Sequence, residues 1–97
     1  EVSSMNKLPP QIKDVQVGDT LEFIRNCNDG QVIYSKTRKV EVLHVNELGS
    51  VLLGLRQPLR LVSRMTVQEV TFEHKGFRWC RYAPKSMLIR NCRRIEP

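Results

Sequence analysis

The stretch from Lys36 to Leu55, KTRKVEVLHVNELGSVLLGL, decides the fold class. Val40 and Val42 alternate with charged neighbours, the chain meets Glu47-Leu48-Gly49-Ser50, and it continues apolar through Val51, Leu52, Leu53 and Leu55. Branched residues suit a pleated, half-buried surface, and Gly49 can take the positive φ of a tight turn, so this stretch predicts a β-hairpin. A hairpin alone is marginal in water, so the rest of the chain is expected to wrap around it.

Working outward, residues 31–45 run nearly unbroken, far longer than a mean strand of about 5–6 residues, which calls for a bend near Ser35-Lys36-Thr37. The preceding Asn26-Cys27-Asn28-Asp29-Gly30 is a strong turn, since Asn, Asp and Gly tolerate left-handed geometry. Pro58 cannot donate to a ladder, so a loop or edge is expected there. A second hairpin is expected from Thr66–Glu73 and Phe77–Tyr82 around His74-Lys75-Gly76. The spacing of Val67 and Val70 also admits a helical turn, but the β-branched content favours strand. In the return strand, alternation puts Phe77, Trp79 and Arg81 on one face and Arg78, Cys80 and Tyr82 on the other. After Pro84, residues 87–95 predict a short strand or a turn of helix that closes the core.

The segment Val17-Gly18-Asp19-Thr20-Leu21-Glu22-Phe23 places a Gly-Asp bend before an alternating strand. This V-G-D-x-L-x-F opening resembles the first strand of the Tudor and SH3-like barrel group. The resemblance implies an all-β fold, a small, strongly bent SH3-like or Tudor-like barrel of five to six strands, with the loop at 26–30 flanking a binding site. Residues 15–97 are then one domain, and residues 1–14, with Leu8 ahead of Pro9-Pro10, an extended lead-in or linker.

Ninety-seven residues suffice for one modest core. No apolar run approaches the roughly 18–20 residues of a membrane span, and the N-terminus lacks the apolar stretch of a secretory signal. Cys27, Cys80 and Cys92 are odd in number and lack ligand spacing with each other or with His44 and His74. Reduced thiols in a nuclear or cytoplasmic setting, with no metal and no cofactor, are the simpler expectation. The chain starts at Glu1, which suggests a domain excised from a larger intracellular protein or complex.

Charge is split along the chain. Residues 1–50 carry six Lys/Arg against seven Asp/Glu, a net of −1, and residues 51–97 carry ten against three, a net of +7, which together give the +6 of the whole. Arginine dominates the basic half, and its planar fork suits phosphate or carboxylate. No nucleophile elbow, phosphate loop, paired histidine or acidic dyad is present, so a non-enzymatic module is expected.

Two ligand classes follow. Nucleic acid, RNA or DNA, needs cations for phosphates and aromatic faces for bases. Arg78, Trp79, Arg81 and Tyr82 interleave both, and Lys85, Arg90, Arg93 and Arg94 extend the patch. A second cluster, Lys36, Arg38 and Lys39, is diluted if strand alternation turns Arg38 away from its neighbours. The alternative is a Tudor-like protein-interaction domain: an acidic peptide on the same basic face, or a methylated Arg/Lys held by cation–π contact in a pocket of Tyr34, Trp79 and Tyr82.

Overall fold

The computed structural model describes residues 12–62 and 64–95. Its first element shows why the Gly-Asp opening works. Gly18 adopts φ 95°, the left-handed geometry that its missing Cβ permits. The Asp19 amide donates to Gln16 O (3.1 Å), while Asp19 Oδ2 accepts the Gln16 amide (2.8 Å). The turn feeds β1 (Thr20–Phe23), whose Leu21 and Phe23 point inward.

The hairpin around Gly49 forms as the sequence predicts, from β4 (Lys39–Val45) and β5 (Ser50–Leu55). Asn46 closes it: its side-chain oxygen accepts the Leu48 amide, its carbonyl the Gly49 amide, and Gly49 takes φ 92°. All five residues Val51–Leu55 are buried, so β5 is covered on both faces. It is the central strand of the larger sheet.

That sheet has six antiparallel strands, with β8 (Phe77–Pro84) beside β5, β7 (Phe72–His74) outside β8, and β1 beside β4. At the far end β9 (Cys92–Arg94) returns to pair with β1. A smaller antiparallel sheet contains β2 (Cys27–Asn28), β3 (Val32–Tyr34) and β6 (Arg60–Leu61), with β3 in the middle. The fold is thus mostly β, as expected. The edge strands β7 and β9 do not pair with each other among the described residues.

One local expectation is corrected. The strand foreseen over 66–73 begins as a helical turn, α1 (Val67–Val70), because the Thr66 amide donates to Glu69 Oε2 (2.7 Å) and closes a capping box. Residues 85–91 form α2 (Lys85–Asn91), which buries Leu88 and leads into β9. The lead-in over 1–14 lies mostly outside the described residues. Of its described part, Ile12 packs in the core, and the Asp14 carbonyl accepts Arg94 Nη2, so the packed unit includes residue 12.

The two sheets are joined by a buried ion pair. Arg81 Nε donates to Asp29 Oδ2 (2.8 Å), with the two side chains 9% and 1% exposed. Arg81 Nη1 donates to Val70 O and Nη2 to Gln31 Oε1, while Tyr34 donates its hydroxyl proton to Asp29 (2.7 Å). Burial opposes the charge on Asp29, but the amides of Val32 and Gln31, the Tyr34 hydroxyl and Arg81 outweigh it and hold the carboxyl below its usual range.

Asp29→Ala should therefore cost about 3–5 kcal/mol, the scale for stripping a buried ion of its partner, measured by urea unfolding. The folded-state pKa of Asp29 lies below the unfolded value of about 3.9, so its stabilisation is complete above that value and is lost as pH falls through the folded one. The urea midpoint should fall on acidification below about pH 4, and less steeply in Asp29→Asn.

Candidate nucleic-acid interface

The residues expected to form a C-terminal basic patch are mostly matched by carboxylates. Arg93 Nη2 lies 2.6 Å from Glu22 Oε1, Arg94 Nη2 3.1 Å from Asp19 Oδ2, and Lys85 Nζ 2.6 Å from Asp14 Oδ1. Arg81 is buried against Asp29 and is not a surface cation, which corrects its expected role. Cross-strand placement explains the pairings, since Glu22 stands opposite Arg93 in the β1–β9 ladder. Arg90 is exposed, and its carbonyl accepts Arg25 Nη1.

The expected peptide pocket is not assembled. Tyr34 is 0% exposed and stacks on Phe23 with centroids 4.7 Å apart, inside the core. Tyr82 is 48% exposed and tilts against Phe72 on the β7–β8 hairpin (6.0 Å). Trp79 is half-buried. The simple alternation expected for β8 also fails, because Cys80 and Arg81 are both buried.

What the fold does assemble is a basic groove. A cavity of about 250 Å³ is lined by Lys36, Thr37, Arg38, Gln57 and Arg60, among others. A neighbour of about 670 Å³ shares Thr37 and Gln57 and adds Lys39, Glu41 and Arg56. A third, of about 280 Å³, shares Arg56 and adds Phe77, Arg78 and Trp79. Across the three, six Lys/Arg face Glu41 as the one carboxylate. Among the described residues no carboxylate pairs with Lys36, Lys39 or Arg60, whereas Arg56 is held by Glu41 (2.6 Å).

Local backbone explains the clustering. Residues 35–38 are a turn, so strand alternation does not apply and Lys36 and Arg38 line the same cavity. Thr37 sits at φ 76°, a cost of about 1–3 kcal/mol for a β-branched residue. Its amide donates to Phe23 O (2.8 Å), and Arg38 Nη2 donates to Pro58 O (2.7 Å), tying the turn to the loop that follows β5. Further along, the Phe77 ring lies across Gly54: a Cβ there would stand 2.7 Å from the ring. Arg56 covers the ring at 4.4 Å, and Arg78 lies 5.8 Å over Trp79.

Sequence reasoning missed Arg56, Gln57 and Phe77 as groove residues. A detectable signal was Gly54, an isolated glycine in an apolar strand, which marks a close approach. Among the described residues no group of three or more His, Cys, Asp or Glu has the arrangement of a metal site. Cys27, Cys80 and Cys92 are free thiols, and burial pushes Cys92 up to about 12. No helix among the described residues is long and apolar enough to cross a membrane. No family model, curated protein or solved structure matches this chain.

Glu22 and Asp19 are only 16% and 14% exposed. Arg93→Glu with Arg94→Glu should therefore destabilise the domain, by about 1–3 kcal/mol from unpaired, largely buried carboxylates, read as a lower melting temperature.

Proposed function

We propose that this chain is a non-enzymatic binding module whose ligand is nucleic acid, held by phosphate contacts along the groove from Lys36 to Arg78. The observation that carries this reading is the charge of the groove: Lys36, Lys39 and Arg60 project unpaired cations onto connected cavities while the cations of β9 are matched by acids. A polyanion gains most where positive charge is not already neutralised. Arg56 and Arg78 add guanidinium groups next to aromatic rings, a combination suited to both phosphate and base.

The strand order supports the proposed kinship with SH3-like and Tudor-like small barrels. β1, β4, β5 and β8 form an antiparallel run in chain order, and β9 comes back to the free side of β1 after α2. This return is the step by which a small sheet curls toward closure. Free thiols, of which Cys80 and Cys92 are buried, suit a nuclear or cytoplasmic setting.

An acidic peptide on the same groove is the competing ligand, and titrating the protein with each of the two at equal ionic strength separates them. Binding of a fluorescein-labelled oligonucleotide, followed by anisotropy, should weaken linearly in log affinity against log salt, with a slope of about −0.7 to −0.9 per phosphate contacted. Lys36→Glu with Arg60→Glu should lower affinity more than tenfold, or about 1.4 kcal/mol, at unchanged melting temperature. Undiminished binding in that variant, or no binding at low salt, would reject the groove as a nucleic-acid site.

A further inference from the structure

We infer that the groove selects single-stranded over double-stranded nucleic acid, and that the cavity between Phe77 and Trp79 receives one unpaired base. This rests on the groove reading above and adds the physical form of the ligand.

The cavity holds about 280 Å³ and is lined by Leu55, Arg56, Gly76, Phe77, Arg78 and Trp79. That is near the lower bound of about 300 Å³ for small-molecule sites, a size fit for one base. Its walls carry two aromatic residues and two guanidinium groups, which supply π faces for stacking and cations for the flanking phosphates. Trp79 also lines a cavity of about 380 Å³ next to α1, with Phe72 and Arg78.

Trp79 is half-buried against the hydrophobic core and also lines this cavity, while Phe77 lies over β5. Gly54 lets the Phe77 ring approach β5 closely, and Arg56, whose own side chain is 69% exposed, lies over that ring. A base can stack on the Arg56 plane, or take its place on the ring while the guanidinium swings to a phosphate. The larger cavity lined by Lys39 and Arg56 adjoins this one and continues to Lys36 and Arg60, so a strand with one base inserted has cations along its backbone. A duplex keeps its bases stacked inside and offers the groove phosphates alone. Among the described residues the helices are α1 and α2, of four and seven residues, and α2 buries Leu88 and Asn91, so neither presents a recognition helix to a major groove.

Trp79 is the single tryptophan of the chain, so intrinsic fluorescence reports on this cavity. Titrating the wild-type protein with ten-nucleotide oligouridylate, oligothymidylate, a hairpin duplex of equal charge and inorganic polyphosphate separates the cases. Both single strands should quench Trp79 and bind about tenfold tighter than the duplex, while polyphosphate binds without quenching. Phe77→Leu, which keeps an apolar cover on Gly54, should weaken single-strand binding about five- to tenfold and leave the salt slope and duplex affinity unchanged. Equal affinities for single strand and duplex without quenching, or equal quenching by polyphosphate, would overturn the base-binding cavity and leave the groove reading intact. Absence of all binding at low salt would overturn both.

Discussion

The buried pair of Asp29 and Arg81 is the constraint on which the arrangement of the two sheets depends. Asp29 uses Oδ1 to close its own turn, accepting the amides of Gln31 and Val32, and Oδ2 to meet Arg81 and Tyr34. Arg81 answers with three donors, reaching the small sheet through Asp29 and Gln31 and α1 through Val70 O. One guanidinium on β8 thereby fixes the β2–β3 turn and the helical turn before β7. Two buried charges stabilise a fold only when their other polar atoms also find partners, and here both carboxylate oxygens and all three guanidinium nitrogens do.

The groove follows from that fixation. With the small sheet anchored, β3 runs into the 35–38 turn, and the loop after β5 runs into β6, which pairs with β3. Arg38 bridges the two connections by donating to Pro58 O. Cations from both connections, Lys36 on one and Arg60 at the end of the other, thus come to line one cavity. The strained φ of Thr37 lies at this junction, and the hydrogen bond from its amide to Phe23 O holds it there. On the other flank, the absence of a side chain at Gly54 lets Phe77 close down on β5 and positions Arg56 above it.

Much of the fold was legible because it rests on local rules. The β4–β5 hairpin, the Gly18-Asp19 turn and the loop at Pro58 each follow from residue type and spacing. The helical turn at 67–70 was not, because a capping box between Thr66 and Glu69 outweighed the β-branched side chains around it. The site was less legible, since charge composition does not reveal pairing. Arg93 and Arg94 look like a phosphate patch until β9 is placed beside β1, where Glu22 and Asp19 meet them. Arg81 reads as a surface cation until its distant partner at Asp29 is known. Conversely, Lys36 and Arg38 were set apart by an alternation that holds in strands and fails in the turn they occupy.

Backbone amide shifts in a titration of the isotope-labelled protein with unlabelled oligouridylate test the central claim most directly. Perturbations concentrated at residues 36–39, 54–60 and 76–79, with little change at 92–94, are the expected result. Shifts gathered at 85–94 or around the exposed Phe72 and Tyr82, with residues 36–60 undisturbed, would contradict it.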